Sequence, residues 1–126
     1  MATVVLDASV LIGLLDTADA HHAAAVDAVD AADQAAASLM TPASAYSEAL
    51  VAFARAEQLF NARDALANMG ITIAPLTGVI AERAAELRAA HDRLRLPDAL
   101  VLATAQHLEA SLLTYDDKLA RVADEY

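Results

Sequence analysis

Four short apolar runs alternate with longer stretches that carry a helical period. The runs are Thr3–Leu6, Ser38–Thr41, Ile71–Ala74 and Ser111–Thr114. Each is too short for a helix, and the first is rich in β-branched residues, so all four read as buried strands. Asp7 closes the first run and Pro75 the third. Helices are expected over Ser9–Leu15, His21–Ala36, Ala43–Ala56, Leu59–Met69, Gly78–Arg93, Pro97–Glu109 and Lys118–Ala123. Pro42 suits the first turn of its helix, and Gly70 stands where a helix should stop. Strands that alternate with helices run parallel, because a parallel return needs a long crossover and a helix is the compact one. The expectation is an α/β fold: a small, doubly wound, mostly parallel sheet of four or five strands flanked by helices. In such sheets ligands bind beyond the carboxyl ends of the strands, near the point where strand order reverses.

The chain has 126 residues, which fits one domain spanning 1–126 with a core that needs no staple. No repeat or linker divides it. It contains no cysteine, which removes disulfides and thiolate metal sites. No segment approaches the ~18 apolar residues that span a bilayer. The start, Met1-Ala2-Thr3-Val4-Val5-Leu6-Asp7, has no basic region and meets an acid at once, unlike a signal peptide. A cytoplasmic protein is expected. Eight Lys and Arg against eighteen Asp and Glu give a net charge of −10. That argues against a simple basic groove for nucleic acid. It leaves open an enzyme that meets phosphate through cations, and it suits a basic protein partner.

Four acids stand where chemistry would be. Asp7 follows the first strand, Glu48 lies early in the helix after the second, Asp98 follows Pro97 at a helix start, and Asp116 comes just after the fourth strand. Each also has a local use. Asp7 can cap a helix, Asp98 can complement a helix dipole, Asp116 and Asp117 can make a turn, and Glu48 can face water. Glu48 is the most informative, because Ala43, Ala45, Ala49, Leu50 and Val51 make its helix read as mostly buried. If the four converge, they cannot all remain charged alone: at ~4 Å and an effective dielectric of 20, one pair repels by about 4 kcal/mol. Either some protonate or a divalent cation enters. Oxygen-only ligands favour Mg²⁺ or Mn²⁺ over Zn²⁺.

These residues resemble a known family. Val5-Leu6-Asp7-Ala8-Ser9-Val10-Leu11, Ser47-Glu48-Ala49-Leu50, Leu96-Pro97-Asp98-Ala99-Leu100-Val101-Leu102-Ala103-Thr104-Ala105 and Leu113-Thr114-Tyr115-Asp116 are similar, in order and separation, to the motifs of PIN-domain nucleases. Within these the chain resembles the VapC-like toxins of bacterial toxin–antitoxin pairs. The resemblance covers nearly the whole chain. It implies that Asp7, Glu48, Asp98 and Asp116 ligate Mg²⁺ or Mn²⁺, and that an RNA phosphodiester is hydrolysed by a metal-activated water. It implies that Thr114 and Ser9 hold metal-bound water from a second layer. It also implies a VapB-like antitoxin with a basic segment. A homodimer is expected through the apolar surface of the helices between Pro42 and Met69. Leu119 stands where relatives often carry an aromatic residue, and the chain ends at Tyr126 where they often add a short strand.

Other polar residues read more plainly. His21 and His22 are adjacent and cannot share a helix face, so they read as surface residues near a helix start. His91 and His107 read as packing or surface residues. Arg83, Arg88, Arg93 and Arg95 form a basic stretch before Asp98. They serve either as partners of Glu82 and Glu86 or, for Arg93 and Arg95, to steer RNA phosphates. Tyr46, Phe53 and Phe60 read as core or dimer contacts. A haloacid-type phosphatase would need Asp where Ser9 stands, and a response-regulator receiver would carry its acidic pair after the first strand. A non-catalytic α/β interaction module is the alternative from a different class.

Overall fold

The computed structural model describes residues 2–126; Met1, the first residue of the N-terminal reading above, lies outside them. The elements follow in the order β1 (Thr3–Leu6), α1 (Ala8–Leu15), α2 (His22–Gln34), β2 (Ser38–Pro42), α3 (Ala43–Arg55), α4 (Leu59–Asn68), β3 (Ile71–Ala74), α5 (Gly78–Ala90), α6 (Leu96–His107), β4 (Ser111–Leu113) and α7 (Asp117–Ala123). The four strands form one sheet in the order β3-β2-β1-β4, and every pairing is parallel. The chain therefore steps outward from β1 through β2 to β3, then returns to the other side of β1. Strand order reverses between β1 and β4, which places the expected ligand crevice at the ends of those two strands.

Successive strand residues face opposite sides of the sheet, and β1 shows the consequence. Val5 and Leu6 are both fully buried, but in different layers. Val5 packs with Ile80, Ala84, Leu87, Leu94 and Leu102 under α5 and α6. Leu6 packs with Val10, Leu11, Leu39, Leu66 and Ile71 under α1 and α4. The alanines thin the helices enough to bring them close to this short sheet, and α6 is buried from Val101 through Ala105.

Helix ends depart from the expectation in several places; α6, like α2, ends two residues early, at His107 rather than Glu109. Pro42 does not enter the first turn of α3. Its ψ of 143° is extended, and it is the last residue of β2 and the N-cap of the helix. Helix α5 stops at Ala90, three residues early, because His91 turns to an extended backbone and Leu94 plugs into the core. Helix α2 ends at Gln34 rather than Ala36. Ala36 takes a left-handed φ of 55°, and the amide of Ala37 closes back on the carbonyl of Ala32. Gly70 does occupy the left-handed position after α4, with φ of 78°.

Candidate active site

Asp7 is the anchor of the site. It is the first residue after β1, is 5% exposed, and its own amide extends the ladder to the carbonyl of Leu113 on β4. Its carboxylate accepts the amide of Val10 at 3.3 Å, so the acid caps α1 as its local use required. Two hydroxyls complete the set. Ser9 Oγ donates to Oδ1 at 2.5 Å, and Thr114 Oγ1 donates to Oδ2 at 2.5 Å. Each hydroxyl in turn accepts a backbone amide from the β4–α7 loop: Tyr115 N–H reaches Ser9 Oγ at 3.0 Å, and Asp116 N–H reaches Thr114 Oγ1 at 3.0 Å. Both oxygens of a buried carboxylate are thereby fixed from a strand end, a helix start and a loop. Thr41, fully buried on β2, donates to the carbonyl of Leu6 at 2.8 Å and ties the neighbouring strand to the residue before Asp7.

Asp116 caps α7, with Oδ1 accepting the amides of Lys118 at 2.9 Å and Leu119 at 3.2 Å. Asp98 lies in the first turn of α6, and its carboxylate meets Arg95 at 3.4 Å. Burial above all holds the Asp98 carboxyl above the ordinary carboxylate value. Arg95 opposes this, while the like charges of Asp116 and then Asp7 add to it. Like charges near a carboxyl disfavour its ionised form in this way. Glu48 is not among the charges that act on Asp98. It is exposed on α3, on a helix less buried than its sequence suggested, because Ser47 and Val51 beside it face water too.

Among the described residues, no three acids or histidines stand at mutual ligating distance. The side chains have local partners instead: Asp98 is turned to Arg95, and Asp116 to its own helix. By donor type and by their mutual repulsion, Asp7, Asp98 and Asp116 nevertheless fit a hard divalent cation. Ser9 and Thr114 direct their protons at Asp7, a role no sequence spacing announced. Also unannounced is an aromatic stack beside the loop. The rings of His21 and Tyr115 lie 4.5 Å apart and 11° from parallel. Burial, then the charges of Asp27 and Asp7, push the Tyr115 phenol up from its usual value.

Arg83 and His91 have partners away from the candidate acids. Arg83 donates to Gln106 and approaches Glu86. His91 meets Tyr126 and Glu125.

The profile of the PIN domain matches residues 4–125. The chain belongs to the PIN-domain family. Three solved structures illustrate what this PIN domain is similar to. One is a toxin–antitoxin complex from Klebsiella pneumoniae: 28% identity, 91% of this chain and 88% of that one covered, TM-score 0.75. Another is VapC20 of Mycobacterium tuberculosis, a sarcin–ricin loop cleaving toxin: 18% identity, 94% and 93% covered, TM-score 0.73. The third is VapBC2 of Rickettsia felis bound to a DNA fragment from its promoter: 12% identity, 95% and 92% covered, TM-score 0.76. The last two share the fold alone. No match was found among curated proteins.

Proposed function

We propose that this PIN domain, taken as one unit over 1–126, is a Mg²⁺- or Mn²⁺-dependent endoribonuclease and the toxin of a cytoplasmic toxin–antitoxin pair. The reading is supported by the positions of Asp7 and Asp116 just after β1 and β4, where strand order reverses, and of Asp98 in the first turn of α6. Asp7, Asp98 and Asp116 would hold the cation, with Glu48 closing the set from α3. A bound divalent ion would offset the charge of these acids and of the phosphate, and would lower the pKa of a water. Ser9 and Thr114 keep both oxygens of Asp7 in fixed directions. Arg95, 66% exposed beside Asp98, is placed to meet an RNA phosphate.

The partner is proposed to be a VapB-like antitoxin that presents a basic segment to the acids, in keeping with the charge of −10 and with the complexes the fold resembles. A homodimer is proposed through α3 and α4, where Val51, Leu59 and Phe60 are exposed. No helix among the described residues is long and apolar enough to cross a membrane.

The test is cleavage of single-stranded and loop RNA with Mg²⁺, Mn²⁺ or excess EDTA, alongside thermal unfolding in the same buffers. Divalent ions at about 100 times their Kd should stabilise the protein by about 2.7 kcal/mol, with less gain in Asp7→Asn. Cleavage undiminished by EDTA would overturn the metal reading. Absence of both cleavage and stabilisation would leave a non-catalytic module.

A further inference from the structure

We propose that His21, stacked on Tyr115 at the rim of the acid cluster, is a platform for an unpaired nucleobase next to the cleaved phosphate. The inference rests on the ribonuclease reading and deepens it, because it names a substrate feature: a base free of its own stack, in single-stranded RNA or a loop.

The first observation is placement. Tyr115 sits between Thr114 and Asp116, and its amide feeds the hydroxyl that fixes Asp7. Its ring packs partly buried against the Leu6 layer. His21 lies on that ring, nearly parallel at 4.5 Å, and is exposed. The exposed ring of His21 thus lies against the residue between Thr114 and Asp116.

The second observation is rigidity. The turn that presents His21 is bonded at nearly every residue. Asp16 accepts the amide of Ala18 at 2.9 Å, and Asp19 Oδ2 accepts the amide of His21 at 2.9 Å. Asp19 O accepts the amide of His22 at 3.1 Å, and His21 O accepts that of Ala25 at 2.9 Å. The His22 ring meets the carbonyl of Gly13 at 2.7 Å. Gly13 permits this approach: a Cβ there would come within 3.3 Å of Ala25 Cβ and 3.4 Å of His21 O. The backbone that carries His21 is fixed by these bonds and its ring rests on Tyr115, so little ordering is needed when something stacks on it.

The third observation is charge. With a net charge of −10, phosphate contacts cannot carry much affinity for RNA, and Arg95 already faces Asp98. Stacking on an aromatic face does not depend on charge balance and tolerates any base. A paired base has both faces covered by its neighbours, so the platform selects unpaired nucleotides.

The test uses the full chain and a hairpin RNA with a fluorescent adenine analogue in its loop. Binding is followed by anisotropy and by quenching of the analogue, in Mg²⁺, with the Asp98→Asn protein to prevent cleavage. Adding His21→Ala should weaken binding about tenfold and abolish the quenching, whereas His21→Phe should keep both. With Asp98 intact, His21→Ala should raise KM about tenfold and leave kcat nearly unchanged, as expected for a contact made equally before and during reaction. Equal binding and quenching by the His21→Ala protein would overturn the platform while leaving the ribonuclease reading in place. So would equal loss in His21→Phe, since the ring face would then not matter. If the parent chain neither binds nor cleaves RNA, both readings fall together.

Discussion

Replacing Asp98 with Asn should abolish cleavage and make the metal-free protein more stable. The side chain is only 14% exposed, and burial with the charges of Asp116 and Asp7 raises its pKa from 3.8 in spite of Arg95. A carboxyl raised in the folded state contributes stability that is complete below its unfolded pKa and is lost as pH rises through the folded one. At neutral pH the ionised group therefore weakens the fold. Charges in contact repel by about 1 kcal/mol in water and about 4 kcal/mol at an effective dielectric of 20. Asp116 and Asp7 act from beyond contact across a screened cleft, so relief of roughly 1–2 kcal/mol is expected from the two together. Ending the burial of a charge adds to that. Against it stand the pair with the mostly exposed Arg95, about 0–1 kcal/mol, and the loss of an acid in the first turn of α6, about 0.3–1 kcal/mol.

The balance favours the variant by about 1 kcal/mol, or about 3–5 °C in Tm for a chain of this size. The assay is thermal unfolding followed by circular dichroism in EDTA, for parent and variant, from neutral pH downward. The advantage should shrink as pH falls through the raised pKa of Asp98 toward 3.8, because in that window the folded parent takes up its proton. A variant that melts lower at neutral pH would show that Asp98 serves only its helix. A gain that does not change with pH would refute the electrostatic account.

Thr114→Val should destabilise the protein by about 1–3 kcal/mol, measured by urea denaturation, because it strips a buried carboxylate oxygen of a donor and the Asp116 amide of an acceptor. The same variant should lose cleavage more than RNA binding. Arg95→Ala should leave stability within about 1 kcal/mol yet tighten Mg²⁺ binding in calorimetry, since the guanidinium that competes for Asp98 is gone; weaker Mg²⁺ binding would contradict that competition.

Much of the fold could be read from the runs and their spacing. Residues Thr3–Leu6 and Ile71–Ala74 are strands at the expected bounds, because short apolar runs closed by Asp7 and Pro75 leave little choice. Helix ends were less legible. Helices α2, α3 and α6 stop at left-handed Ala36, Glu57 and Glu109, residues that carry no stop signal, whereas Gly70 announced its own. The early end of α5 depends on Leu94 reaching a core that only the assembled fold defines. The helix around Glu48 is more exposed than expected for a related reason: its alanines suggested a buried face, but alanine is equally at home on an exposed helix.

The local and chemical readings of the acids were set out as rivals, and the structure shows why they need not be. Asp7 caps α1 and Asp116 caps α7, while Asp98 occupies the first turn of α6. Three helices thus carry acids at their starts, and each helix start favours a negative group through its free amides and dipole. For Asp7 and Asp116 the local role is the means of convergence: a cap fixes each carboxylate just after the strand that precedes its helix, and parallel strands put those ends on one edge of the sheet. Ser9 and Thr114 then convert the capped Asp7 into an oriented one, using amides of the loop that carries Asp116. Helix starts at Asp7, Asp98 and Asp116, and Arg95 beside Asp98, offset part of the charge these carboxylates bring to the crevice. At Asp98 a divalent ion would compete with the mostly exposed Arg95.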